Sequence, residues 1–502
     1  MITMTAVWLV SSAFALTSCV QKTPEELHAE EAEKTFALNV MDAHGRLEQY
    51  LSENSDSIEA DLLTHEYYRD AGDWLWAGSP QQLQQCHDVV DYLQQHVPQT
   101  GFSEKAFYLK QIADDLQRLD SLWFDEQNSP RDVMARLEYH LTKAYVRYAQ
   151  GQRYGFTNPN KIYNTYSTKD STYHGIFDIK LEQVDSTFRH DIFRQVVEGT
   201  PVGFLQSCEP QDSVYHRLQQ AMLKDSDKVS RQRLLNNMER RRWRDTQPLA
   251  SDGRYILVNL PSQQLWAVSR DSVFSMRVCL GAFKTKTPTL SSGISRVELN
   301  PEWNIPMSIL RNEVSHHAGD SAYFANRRYR IIDTRTGKAV SGNHVSSSQI
   351  SSGHYRVAQA SGAGNALGRI IFRFPNHYSV YLHHTNNSSA FNNEKRTVSH
   401  GCVRVQRPFD LLKFVLPDAD EWTLDRMRIS IDMKPETQRG KDYISKNPGS
   451  HRLINSQPCN LRVPVYLHYY TAYPNPQTGV IETWPDRYEY DPAMTKALRA
   501  YQ

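Results

Sequence analysis

The chain reads as a multidomain α+β protein, a mainly helical half followed by a β-rich half. Three observations carry that reading. Its 502 residues exceed one comfortable hydrophobic core, so two or more structural units are expected. Helix-start signals recur through the first half and then stop. From Tyr255 onward the texture changes to short β-branched and aromatic runs broken by Pro, Gly, Ser and Asn.

The N-terminus stands apart from both halves. Residues 6–16, AVWLVSSAFAL, are uncharged and mostly apolar, too short for the ~20 residues that span a bilayer. They fit the apolar core of an export signal, although no Lys or Arg precedes them. Leu16-Thr17-Ser18-Cys19 resembles the bacterial lipobox. Residues 1–19 are accordingly expected to be a lipoprotein signal peptide with Cys19 as the lipidated residue. The expected location is the cell envelope, periplasm-facing and lipid-anchored. Val20 after Cys19 favours the outer membrane over the inner.

Three starts mark the helical half. Thr23-Pro24-Glu25-Glu26, Ser79-Pro80-Gln81-Gln82 and Ser129-Pro130-Arg131-Asp132 each offer a capping hydroxyl, Pro at the first helical position and an acid or amide at the third. After the third, Met134, Leu137, Leu141, Ala144, Tyr145 and Tyr148 recur at helical spacing. Residues 20–249 therefore form a mainly helical domain whose apolar residues are core. No catalytic constellation lies there.

In the second half, YILVNLPSQQLWAVS, VFSMRVCLGAF, GRIIFRFPN and SVYLHHT read as strands, and Pro408 opens a short helix, PFDLLKFVL. The polar stretch between Trp303 and Tyr355 is too long for a plain loop and reads as an insertion. The tail returns to a strand, VPVYLHYYTAY, and ends in a short helix after Asp491-Pro492. Lys+Arg (57) and Asp+Glu (56) nearly cancel, which argues against a broad nucleic-acid-binding surface.

Beyond Cys19 there are five cysteines, Cys86, Cys208, Cys279, Cys402 and Cys459, so an exported chain cannot pair them all. Cys86 and Cys279 sit in apolar helical and strand patterns, and nothing local distinguishes Cys208 or Cys459. Cys402 differs. It lies in Ser399-His400-Gly401-Cys402-Val403-Arg404, downstream of Tyr381-Leu382-His383-His384-Thr385. A thiol becomes a strong nucleophile when a neighbouring His or positive charge populates its thiolate. If 398–405 is a regular strand, His400, Cys402 and Arg404 share a face, and Gly401 leaves the backbone beside the thiol open to an incoming carbonyl. In a strand SVYLHHT, Tyr381 and His383 share one face and Leu382 and His384 the other. Leu382 looks like core, so His383 is expected to address the site and His384 to point away. Spacing alone leaves two other readings open. One is a buried cysteine with ordinary strand histidines. The other is a zinc site built from Cys402, His400 and His383 or His384, with no accompanying CxxC or HExxH.

His383, fifteen residues, then SHGCVR resembles the signature of the L,D-transpeptidases of the YkuD type. RYILVNLPSQQLWAV, LNPEWNIPMSI, GNALGRIIFRFPNHYSVYLHHT, SHGCVRVQRPFDL and VPVYLHYYTAY are similar, in order, to blocks of the large YcbB-like murein branch. LNNMERRRW (235–243), GDWLWAG and RLEYHLTKAYVRYAQGQRYG extend the likeness into the helical half.

The resemblance implies a β-sandwich-like catalytic domain over residues 250–435 with a capping lobe inserted at about 308–354. A helical scaffold precedes it, and a C-terminal extension, 436–502, adds a strand packed on it. It implies Cys402 as nucleophile and His383 as general base, with His400 and Gly401 supplying backbone groups that orient the base and line an oxyanion hole. Ser399, Arg404 and Tyr381 are the implied substrate-binding residues, Arg404 through a carboxylate. No metal or cofactor is implied.

The implied reaction is peptidoglycan cross-linking of the 3→3 type. A tetrapeptide stem is the donor, a diamino-acid side-chain amine the acceptor, and a cysteine thioester joins the two steps. Carbapenems are expected to acylate Cys402. The same Cys/His pair with water as acceptor would make an L,D-carboxypeptidase or cross-link hydrolase, and a non-catalytic peptidoglycan-binding scaffold is the alternative from another class. Two departures stand out. Only eleven residues separate Met222 from Leu234, too few for the peptidoglycan-binding module that the branch often inserts there. His384 stands where many relatives carry Asp.

Overall fold

The computed structural model describes residues 43–53, 58–70, 72–167, 172–247 and 252–502. The expected signal peptide, the expected lipidation at Cys19 and the expected helix start at Thr23 lie outside the described residues. Among the described residues, no helix is long and apolar enough to cross a membrane.

The chain forms two compact units. The first is drawn from residues up to 95, 107–146 and 190–204. Two helices begin where the sequence signals them: Pro80–His96 and Pro130–Tyr154 each start on the Pro of a Ser-Pro pair. Ser129 Oγ accepts Asp132 N at 3.4 Å, the N-cap contact, and donates to the Asp132 carboxylate at 2.5 Å. Trp76, Leu93, Phe107, Tyr139 and Tyr145 form buried core. The fully buried Glu138 carboxylate accepts the backbone N–H groups of Leu75, Trp76 and Ala77 at 2.6, 2.9 and 2.9 Å, and so fixes the GDWLWAG turn. Burial still pushes that carboxyl up.

The second unit takes residues 96–106, 147–189 and 205–502. The helical-to-strand transition therefore does not coincide with the compact boundary. The helix Lys228–Arg242 belongs with the strands, because Asn237 donates to Thr471 Oγ1 at 2.9 Å and Arg240 pairs with Asp491 at 2.6 Å. Short strands also interrupt the expected helical stretch: β1 (Thr165–Ser167), β2 (Thr172–His174) and β3 (Phe177–Asp178).

The strand-rich half contributes β4 (Tyr255–Asn259), β5 (Gln264–Val268), β6 (Val273–Gly281) and β7 (Thr289–Leu299). It continues with β8 (Trp303–Asn304), β9 (Tyr329–Asp333), β10 (Ala339–Val340), β11 (Tyr355–Gln359) and β12 (Ile370–Arg373). The last are β13 (Leu382–His383), β14 (Thr397–Ser399), β15 (Val403–Val405) and β16 (Ser456–His468). The main sheet runs β12-β13-β15-β6-β5-β4-β16-β7-β3, with β14 beside β6. β7 pairs β16 along most of its length and β12 at 296–299, so the sheet bends back on itself.

One boundary differs from the sequence expectation, and the tail strand joins the sheet itself. β16 sits within the sheet, parallel to β4 and antiparallel to β7, with Val463, Val465 and Leu467 buried. The inserted lobe is wider than 308–354. It starts at β8 and closes at β11, within a separate sheet ordered β10-β9-β11-β8. It has a core of its own, including Ile309, Leu310, Phe324, Ile331, Ile350 and Val357.

Candidate active site

The segment holding Cys402 is not one regular strand. β14 runs parallel to β6, β15 runs antiparallel to it, and residues 400–402 form a bend between them. Gly401 makes the bend, with φ at 111°, a region costly for residues bearing a Cβ. The shared face expected for His400, Cys402 and Arg404 is lost at this point. His400 turns outward, and its Nε2 lies 2.5 Å from Glu313 Oε1 of the inserted lobe.

Hydrogen bonds fix the bend from below. Ser399 Oγ donates to Cys402 O at 2.6 Å and accepts from Gly401 N at 3.2 Å. Thr287 Oγ1 donates to Gly401 O at 2.9 Å and accepts from Gly281 N at 2.9 Å. Thr285 Oγ1 and Ala282 N both donate to Ser399 O, at 3.0 and 2.8 Å. The Gly401 amide, expected to help line an oxyanion hole, is thus taken by Ser399. The amides of His400 and Cys402 have no partner among the described residues.

β13 lies parallel to β15, with Leu382 opposite Val403 and His383 opposite Arg404. Leu382 is fully buried. The rings of Tyr381 and His383 meet edge-on at 5.7 Å, so these two residues share a face. His384 turns elsewhere: its Nδ1 accepts Arg369 N at 3.2 Å. The loop entering β13 is held by Asn376, whose Nδ2 donates to Val380 O at 2.7 Å and whose Oδ1 accepts Val380 N at 3.0 Å.

Around the sulfur the nearest groups belong to Tyr381, Ser379, Arg373 and Arg404. Cys402 Sγ lies 3.9 Å from Ser379 O, and Ser379 adopts φ 54° to present that carbonyl. The backbone N–H and hydroxyl of Tyr381 lie on the side of the sulfur that favours thiolate, as do the charges of Arg373 and Arg404. Burial outweighs them and pushes the Cys402 thiol up. Burial and proximity to Cys402 likewise push the Tyr381 hydroxyl up. The Arg373 guanidinium lies 4.7 Å from the Tyr381 ring centroid and pairs with Glu298 at 2.9 Å.

His383 is 4% exposed, and its Nδ1 has no hydrogen-bond partner among the described residues. Burial, then the Arg404 charge, pushes its imidazole down to about 3, against the opposing pull of nearby His384 and Leu367 backbone. No hydrogen bond joins Cys402 to His383 among the described residues. The resting pair is therefore a neutral thiol and a neutral imidazole on adjacent strands. Arg404 Nε is also buried without a partner.

Sequence reasoning passed over Arg373, Ser379, Thr285, Thr287, Gly281 and Glu313. Only Arg373 carried a visible signal, a charged residue in the apolar strand IIFRF. The other cysteines offer no comparable surroundings. Cys86, Cys208 and Cys279 are buried, and burial pushes Cys208 and the half-buried Cys459 up to about 11.

Residues 253–431 match the YkuD family, described as the L,D-transpeptidase catalytic domain, and residues 61–222 match the family described as Scaffold domain. A Haemophilus influenzae protein provisionally named an L,D-transpeptidase is 32% identical over 239 residues. That alignment covers 47% of this chain and 44% of the relative, so the chain spans less than half the length of this curated protein. The segment 253–431, which carries Cys402 and His383, is thus matched as a YkuD L,D-transpeptidase catalytic domain, and the segment 61–222 before it as a Scaffold domain.

Proposed function

We propose that the protein is a peptidoglycan L,D-transpeptidase that makes 3→3 cross-links through a thioester on Cys402. The observation that carries this is the setting of the sulfur. It sits at a glycine bend, among two guanidinium groups and the N–H and hydroxyl of Tyr381, one strand from a buried neutral imidazole.

His383 takes the Cys402 proton as the thiolate attacks the carbonyl of the third residue of a tetrapeptide stem. The unpartnered amides of Cys402 and His400 face no competing acceptor and suit the developing oxyanion. The C–N bond to the terminal D-Ala then breaks, the leaving amine receives the proton from His383, and the thioester remains. A side-chain amine of a neighbouring stem attacks that carbonyl and gives its proton to His383. The C–S bond breaks and the thiol is restored. Arg404, with its free Nε, suits a stem carboxylate. Cys19 would tether the enzyme through lipid on the periplasmic face.

Incubation with tetrapeptide muropeptides, followed by mass spectrometry, tests this. Cross-linked dimers carrying a 3→3 bond are expected from the native protein and none from Cys402→Ala. Trimmed tripeptides alone would instead identify water as acceptor and overturn the transpeptidase reading. Equal products from both proteins would sink the proposal.

A further inference from the structure

A cavity of about 630 Å³ lies in the same compact unit as the thiol site, and none of Cys402, His383, Tyr381 or Arg404 lines it. Its walls come from residues within 177–181, 210–214, 240–247, 255–257 and 466–473. The size falls within the ~300–1,000 Å³ of small-molecule sites.

Its chemistry is specific. Tyr255, Tyr466 and Tyr473 present partly open rings. Tyr473 is stacked on Tyr470 at 4.7 Å, and Tyr255 meets Tyr466 at 6.0 Å. Most charges in the walls are already answered. Arg241 pairs with Asp212 at 2.7 Å, Arg240 with Asp491 at 2.6 Å, and Asp245 takes Ser291 and lies 3.6 Å from His468. Arg244 donates only to the carbonyls of Cys208 and Glu209, at 3.0 and 3.3 Å. The hydroxyls of Tyr255 and Tyr473 have no hydrogen-bond partner among the described residues.

Compensated charge does not call for an ionic ligand. Open aromatic faces beside spare hydroxyls and one spare guanidinium call for a neutral ring with an apolar face and many hydroxyls. We propose that this cavity is a carbohydrate-binding subsite that seats pyranose rings of a glycan against Tyr255, Tyr466 and Tyr473. The ring faces cover the sugar C–H surface, while the tyrosine hydroxyls and Arg244 meet its hydroxyl or acetamido oxygens. Naming the glycan as cell-wall glycan rests on the function proposed above; binding of a sugar ring does not.

The test uses the full chain carrying Cys402→Ala, so a failure of the catalytic reading leaves it intact. The probes are tetramers of β-1,4-linked N-acetylglucosamine and of β-1,4-linked glucose, read by saturation-transfer NMR and calorimetry. Saturable binding is expected, weakened roughly tenfold by Tyr473→Ala and several-fold by Tyr255→Phe. The thermal midpoint of Tyr255→Phe is expected to stay within about 2 °C of the parent. Because Tyr473→Ala also removes a packing partner of Tyr470, Tyr255→Phe, which deletes one oxygen and keeps the ring, is the deciding variant. Preference for the acetamido tetramer, or equal binding of both, supports the subsite. No saturable binding of either, or affinity unchanged in Tyr255→Phe combined with Tyr473→Phe, overturns it.

Discussion

Cys402 and His383 face opposite electrostatic demands at the scale of single residues. Burial raises the thiol and lowers the imidazole, so at rest both are neutral and the ion pair is the minor form. Arg373, Arg404 and the Tyr381 hydroxyl offset part of the cost of the thiolate. Tyr381→Phe removes a donor beside a developing anion, so kcat/KM is expected to fall by roughly 10–100-fold. Iodoacetamide alkylation should show the thiol titrating at higher pH than in the native protein. A second consequence concerns stability. His383 stays neutral down to about 3, while the unfolded chain protonates near its ordinary value of 6.5. Stability from His383 is thus fully present above 6.5 and is lost as pH falls through that window. His383→Gln should flatten the acid slope by up to about 1.4 kcal/mol per pH unit, measured by denaturant unfolding between pH 6.5 and 4. His384 and His468 are lowered too and keep their own slope.

Elements show what the sequence made legible and what it hid. Alternation in SVYLHHT separated His383 from His384, because side chains on even a short strand point to opposite faces. The same rule misled at 398–405, where a glycine at positive φ breaks the strand between Ser399 and Val403. Nothing local reveals that Gly281, over a hundred positions away in sequence, must be bare. A Cβ there would stand 2.0 Å from Thr285 O, 2.8 Å from Thr287 N and 3.0 Å from Gly401 Cα. All three are backbone atoms, so a turn or the nucleophile bend must move. Gly281→Ala is expected to cost about 1–3 kcal/mol of stability and most of the turnover, checked by thermal unfolding and muropeptide assay together. The inserted lobe was legible as an insertion from its length and polarity. Its edges, β8 and β11, begin at the Trp303 and Tyr355 that bound the polar stretch; the narrower 308–354 implied by the resemblance missed them, because the two-residue β8 leaves little local signal.

For the molecule as a whole, composition and the change of texture at Tyr255 identified the order of helical and strand-rich halves. They did not identify which segments make a compact unit. That depends on pairings across hundreds of residues, such as β16 entering between β4 and β7 and Asn237 reaching Thr471. The thiol site draws on β6, β12, β13, β14 and β15 at once, so its geometry is a property of the closed sheet rather than of SHGC. The decisive measurement is intact-mass analysis of the full chain quenched during turnover of a tetrapeptide donor with no acceptor amine, followed by peptide mapping. The mechanism predicts one acyl group, lacking the terminal D-Ala, on the peptide that contains Cys402. That adduct should be absent from Cys402→Ala and reduced in His383→Gln. Turnover by Cys402→Ala, or an acyl group carried on another residue, would contradict it.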